Sequence, residues 1–195
     1  MSTDANDPLA LLFSRRSAGT LGLPGPTREQ LDRMLLAAGT VPDHGRLRPY
    51  RFAIIEGDGR AAFGDALARA AAERKPGLSE GALDAMRAKA FRSPAIIAVI
   101  ASPKPGKIER WEQHATAACT GYAIVLASHA LGVGAVWKSV PFTRGAALTE
   151  LFALTDAEEV LGWIHLGTPV AQDAPEPRPP LDLAAFTIVL DGSPR

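Results

Sequence analysis

The stretch that most constrains this chain runs from Arg110 to Leu131, RWEQHATAACTGYAIVLASHAL. After Glu112 it is built almost wholly of small and apolar residues, among them Ala115, Ala117, Ala118, Cys119, Gly121, Ala123, Ala127 and Ala130. No solvent-facing polar stripe is left, and a helix that is apolar all round is expected to be buried on all sides. At 1.5 Å per residue it makes a rod of roughly 30 Å, the width of a small domain. Gln113, His114, Thr116, Thr120, Ser128 and His129 interrupt the apolar run, so a membrane span is not expected. Small side chains let another backbone approach closely, and a second helix, from this chain or from a second copy, could pack there. Gly132 and Gly134 stop the helix and permit a tight turn into a strand at Ala135–Lys138.

The rest of the chain supplies what would surround such a rod. With 195 residues and 47% hydrophobic content, one domain over 1–195 with a sizeable core is expected. Asp7–Phe13 reads as a short helix with Asp7 as cap, and Ala18–Pro26 as a loop rich in glycine and proline. Thr27 and Gln30 fit a capping box opening a helix over Arg28–Gly39, with Leu31, Met34, Leu35 and Ala38 on one face. Thr40–Pro49 is a second loop, followed by a strand at Arg51–Glu56 and an alanine-rich helix at Arg60–Glu73. Ser79 starts another helix reaching about Arg92. Ala95–Ala101, AIIAVIA, is the most β-branched run and fits a central strand buried on both faces. Pro141 opens a helix to about Leu154, and Glu159–Gly167 reads as a strand. Val170–Pro180 is too rich in proline and acid for regular structure, yet Phe186–Leu190 is strongly β-prone and needs an edge to join, possible on a partner subunit. Strands and helices mix without strict alternation, which points to an α+β sheet wrapped in helices.

Several function classes are disfavoured. Lys+Arg and Asp+Glu balance at 21 each and no basic run stands out, so a nucleic-acid surface is not indicated. The lone cysteine, Cys119, leaves neither an intrachain disulfide nor a multi-cysteine metal site and is read as core. The segment MSTDANDP carries no apolar signal region, and cytoplasm is the expected compartment. There is no phosphate loop of the Walker type, no Rossmann fingerprint, no His-Glu-x-x-His and no Gly-x-Ser-x-Gly. An enzyme lacking a built-in nucleophile or metal site can borrow a cofactor instead. Arg15-Arg16-Ser17, at a loop after a short helix, suits a phosphate, because arginine binds phosphate bidentately and keeps its charge. A solvated charge pair is the other reading. His114 and His129 are read as helix residues satisfied locally, His165 as facing outward or toward a polar neighbour, and Arg178 as solvated or touching a partner's phosphate.

RRS near the N-terminus, then PDHGRLRPYRF, ALGVGAVWKS and LGTP, in this order, resemble the nitroreductase family of flavin mononucleotide (FMN) enzymes over roughly Pro8 to Pro169. The resemblance implies an α+β fold with a central mixed sheet wrapped by helices. It also implies an intertwined homodimer, with the long helix at the interface and the arm of about 170–195 reaching across. By the same resemblance, Arg15, Arg16 and Ser17 hold the flavin phosphate and the polar edge of the ring. The loop Thr40–Arg48 reaches the flavin of the other subunit through Thr40 and His44. Trp137, Lys138 and Ser139 lie beside the isoalloxazine and phosphate. Ala127, Ser128, His129, Ala130, Leu131 and Gly132 match a stretch implicated in nicotinamide binding. Three departures stand out: Gly19 where larger members carry a cation, Arg48-Pro49-Tyr50 in place of Gln-Pro-Trp, and Thr40 in place of a longer side chain. The implied activity is transfer of two electrons from NADH or NADPH, through FMN, to a small electron-poor acceptor such as a nitroaromatic or quinone. No catalytic side chain, no metal, no nucleic acid and no membrane enter it. A flavin-binding regulator or store with little turnover is the alternative.

Overall fold

The computed structural model describes residues 9–139, 142–170 and 178–190. Its centre is strand β3 (Ala95–Ala101), all seven residues of which are buried. A continuous β-branched run has no polar face to offer water, so it must be covered on both sides. Strand β2 (Tyr50–Glu56) pairs with one edge of β3 and β5 (Glu159–Pro169) with the other. Strand β4 (Gly134–Lys138) lies along the far edge of β5, and the two-residue β1 (Leu21–Gly22) continues that edge at Thr168 and Pro169. Every pairing among the described strands is antiparallel, so the α+β class holds while the expected mixed sheet does not.

Alternation along the strands sorts side chains into two layers. Ile96, Ala98, Ile100 and Trp163 face helices α3 (Gly59–Arg74) and α6 (Ala146–Phe152). Ile97, Val99, Ile164 and Leu166 face α2 (Arg28–Ala38) and α5 (Arg110–Ala130). Burying each such isoleucine contributes about 1.5–3 kcal/mol. Local signals place the helices on this frame. The Thr27–Gln30 capping box forms at the start of α2. Ser79 caps α4 (Glu80–Arg87), which tightens into a 3-10 turn at Ala88–Phe91.

Helix α5 departs from the expectation of burial all round. It buries Gln113, Thr116, Ala117, Thr120, Gly121, Ile124, Val125 and Ser128 against the sheet and α2. Trp111, Ala115, Ala118, Cys119 and Tyr122 form an exposed row at helical spacing, with Trp111 70% exposed. Cys119 is therefore on the surface of the chain, not in its core.

Other differences have local causes. The loop read over Ala18–Pro26 contains β1, too short to announce itself between glycines and prolines. The first helix, α1, covers Ala10–Ser14, and its expected cap Asp7 lies outside the described residues, as does Pro141. Phe186–Leu190 is not a strand: a 3-10 turn covers Leu183–Phe186, and Phe186, Ile188, Val189 and Leu190 are exposed. Among the described residues the tail pairs with no strand. No helix among the described residues is long and apolar enough to cross a membrane.

Candidate active site

Arg15, Arg16 and Ser17 leave the C-terminal end of α1, where unpaired carbonyls concentrate negative potential. Arg16 folds back onto that end, its Nη1 donating to Phe13 O at 2.7 Å and Arg15 O at 3.0 Å. Two contacts tie the segment to the rest of the fold. The amide of Ala18 donates to Ala135 O of β4 at 2.9 Å, and Ser14 Oγ shares a 3.0 Å hydrogen bond with His129 Nε2 near the end of α5. Between these ties lies a cavity of about 540 Å³, lined by Arg16, Ser17, Gly19, Ser128, His129 and Gly132 among others. That volume is within the range of cofactor sites, about 300–1,000 Å³.

The electrostatics of this cavity are one-sided. Burial first, then the charges of Arg15 and Arg16, hold His129 below the usual imidazole range. A neutral ring therefore sits beside two guanidiniums. Arg16 Nε is buried and has no hydrogen-bond partner, an arrangement that ordinarily costs free energy. Arg178, expected in solvent or against a partner's phosphate, donates instead to Arg15 O.

Of the residues singled out in the sequence, Arg16, Ser17, Ser128, His129 and Gly132 meet at this cavity, with Arg15 adjacent. The others do not line it. Ala127 and Leu131 pack against the core, Leu131 O accepts from Gln30 Nε2, and Ala130 is exposed. Trp137 turns its indole toward α5 and packs with the core on that side. Lys138 points the other way, as alternation along β4 requires. With Ser139 it lines a separate cleft of about 120 Å³ that also holds Lys89, Arg92 and His165. Lys138 and Arg16 thus line different cavities of the chain.

Thr40 and His44 lie farther off. Thr40 Oγ1 donates to Ala37 O at 2.8 Å, closing the end of α2. His44 Nδ1 bonds Glu112 Oε2 at 2.9 Å, and Thr116 Oγ1 donates to Pro42 O, so this loop rides on the first turns of α5. Glu112 and His129 are seventeen residues apart on that helix, about 25 Å. One chain cannot bring His44 to the Arg16 cavity. The loop is nonetheless rigidly set. Asp43 accepts the amides of Leu47 at 3.2 Å and Arg48 at 2.7 Å, while Arg46 and Arg48 sit at φ 54° and 47°, in the left-handed region. Backbone strain of this sort concentrates at functional sites.

Sequence reasoning missed Ser14, Lys89 and Arg92, which carry no motif. It also left open where His165 points, and the ring proves buried against Ser93. Among the described residues no group of three His, Cys, Asp or Glu is placed to hold a metal ion.

The family model for the nitroreductase family matches residues 12–168. The chain belongs to the nitroreductase family. Among its relatives within that family is the Escherichia coli K12 protein named "Putative NAD(P)H nitroreductase YdjA", 37% identical over 179 residues, covering 89% of this chain and 97% of that one. A Haemophilus influenzae protein of the same description is 36% identical over 164 residues, covering 83% and 88%. The nitroreductase fold is shared with a nitroreductase-like protein from Bacillus cereus, at a TM-score of 0.81 with 22% identity, over 98% of this chain and all of that one. A Bacteroides fragilis nitroreductase solved with bound FMN superposes at a TM-score of 0.69, with 18% identity over 95% of this chain and 100% of that one.

Proposed function

We propose that this nitroreductase-family protein is an FMN-dependent NAD(P)H oxidoreductase acting as a homodimer on small electron-poor acceptors. The single observation that carries this is the Arg15–Arg16 pair beside the 540 Å³ cavity, with Arg16 Nε buried and unpartnered. A phosphate oxygen would satisfy that donor, and a second guanidinium stands next to it. The names of the curated relatives and the FMN bound to the Bacteroides fragilis nitroreductase support the same cofactor.

When bound, FMN would supply two-electron redox chemistry between a nicotinamide donor and a nitroaromatic, quinone or similar acceptor. The chain's own residues bind and orient. Arg15, Arg16 and Ser17 hold the phosphate and the polar edge of the ring. The main chain of Trp137, Lys138 and Ser139 flanks the ring. His129 stays neutral next to the two arginines, and with Ser128 and Gly132 it shapes the nicotinamide side. Ala127, Ala130 and Leu131 support that turn from behind.

Two observations favour the dimer. The exposed row from Trp111 to Tyr122 is apolar, and a stable pair would cover it. His44 is about 25 Å of helix away from its own chain's arginine pair, so Thr40 and His44 serve the site of the second copy. The exposed tail of Leu183 to Leu190 then has a partner surface to lie on. We assign residues 1–195 to one such domain, working in the cytoplasm.

Anaerobic titration with NADPH and NADH tests the reading. The purified protein should carry flavin absorbance that bleaches with one equivalent of donor and returns on adding a nitroaromatic or quinone, and it should sediment as a dimer. A protein that stays colourless after incubation with FMN contradicts the proposal. A yellow protein that never bleaches favours the regulator or store.

A further inference from the structure

Helix α4 is held to the fold in a different way from its neighbours. None of its residues, Glu80–Arg87, is fully buried, whereas the shorter α6 buries Ala147, Leu148 and Phe152. The difference is one of placement. α3 and α6 cover the sheet, while α4 packs chiefly onto α3 and onto its own 3-10 turn. Leu78 and Met86 touch the core there but stay half-buried. The two ends of the segment also differ. Before it, Lys75-Pro76-Gly77 ends α3, with Gly77 at φ 82° and open space where a side chain would stand, so that glycine can turn freely. After it, Ala90 in the 3-10 turn is fully buried and pins the chain against the core.

Charge and one close approach hold α4 down. Arg87 Nη1 donates to Glu80 Oε1 and to Asp84 Oδ1, at 2.7 Å each, and both acceptors belong to α4 itself. Its Nε donates to Asp65 Oδ1 at 3.2 Å, and this bond crosses to α3. The first two contacts set the guanidinium in place for the third. Beside Asp65, α3 carries Gly64, and a methyl group built there would lie 2.9 Å from Arg87 O. The missing side chain is the notch in which the end of α4 rests. Exposed ion pairs hold weakly, and salt screens them. Little buried apolar surface, a weak ionic hold and a free glycine together mark a segment that opens without global unfolding.

We propose that Ser79–Arg87 is a flap that lifts off α3 as one unit, turning at Gly77 and latched by Arg87 on Asp65. Opening parts Arg87 from Asp65, uncovers Gly64 and exposes Leu78 and Met86 where they meet the core. Ala90 and the sheet stay in place. Ionic strength sets how often the flap opens, because salt weakens the latch and leaves the buried contacts of β3 untouched. The device is part of the fold itself and does not rest on the flavin reading.

Amide hydrogen exchange on the full-length protein tests this, with the β3 amides as the internal reference for global opening. The amides of Leu83 to Arg87 should share one protection level and exchange about a hundredfold or more faster than those of β3. Raising sodium chloride from about 0.05 M to about 0.5 M should speed them about twofold or more, with β3 unchanged. Asp65→Ala removes only the bond that crosses to α3. It leaves the pairs within α4 intact and puts a good helix former in α3. This variant should speed α4 exchange about three- to fivefold at low salt, leave β3 unchanged and blunt the salt response. Three results would overturn the proposal. The first is α4 amides as slow as those of β3. The second is α4 exchange unaltered in Asp65→Ala. The third is an acceleration shared equally by β3, since α4 would then open only with the whole domain.

Discussion

The indole of Trp137 fills the space where Gly121 has no side chain. A methyl group built at Gly121 would overlap Cη2 and Cζ3 of that ring, and one built at Gly162 would lie 2.5 Å from its Nε1. Two glycines, one on α5 and one on β5, thus cut the slot that seats Trp137 at the end of β4. The slot fixes where β4 ends relative to α5, and with it the edge proposed to flank the flavin. Gly121→Ala should therefore overpack this slot and lower stability by about 1–3 kcal/mol, read from urea denaturation. Tryptophan fluorescence should shift with it. Unchanged stability and emission would show that the indole moves aside freely.

Acid stability should depend on Glu158. Its carboxylate accepts Arg51 Nε at 2.7 Å and Nη2 at 2.9 Å, and the Thr155 amide at 3.0 Å. The Arg51 hydrogen bonds lead in holding it down to about 2 from an ordinary 4.5. A folded-state value below the unfolded one means stability that is present above pH 4.5 and lost as pH falls toward 2. Arg51 is about one-third exposed, so screening reduces the effect to the order of 2 kcal/mol. Glu158→Gln should flatten the pH dependence in that window, and an unaltered slope would contradict the assignment.

His165 should act in a higher window. Its folded-state value of about 4 lies below the ordinary 6.5, so the unfolded chain takes up the proton first. Stability should fall as pH drops from 6.5 to 4, by about 3 kcal/mol in total. His165→Gln should be less stable at neutrality and should lack this slope. Denaturation midpoints measured across that range decide it.

The Thr40–Pro49 loop offers a local prediction. Asp43 holds two amides and thereby two arginines at positive φ. Asp43→Ala should remove both bonds and release the strained turn, at a net cost of about 1–2 kcal/mol. Hydrogen exchange at the Leu47 and Arg48 amides should speed up by tenfold or more. Exchange that stays slow would mean that packing, not Asp43, sets the loop.

Much of this architecture was legible residue by residue. The AIIAVIA run could only be a strand covered on both faces, and Thr27 with Gln30 marked a helix start that the structure reproduces. The same logic of alternation, applied to Trp137 and Lys138, separates their side chains onto opposite faces, although the resemblance alone had grouped them at one ligand. Cys119 was misread because an alanine-rich helix looks buried throughout, while one chain can cover only the face that meets its own sheet. Leu21–Gly22 was missed since two residues carry no periodicity. The β-prone segment Phe186–Leu190 stays exposed and outside any strand, because strand formation needs a paired edge and not only propensity. Lys89 and Arg92 converge with Lys138 only through the tertiary fold, which no local pattern encodes.

The central claim is that Arg15 and Arg16 grip the FMN phosphate, and FMN affinity measured on the Arg15→Ala/Arg16→Ala variant tests it most directly. The account predicts that the variant remains a folded dimer by sedimentation and circular dichroism, yet releases its flavin with affinity reduced about a hundredfold or more, since each charge-assisted contact contributes about 1.5–3 kcal/mol. A folded variant that keeps FMN at wild-type affinity would contradict it.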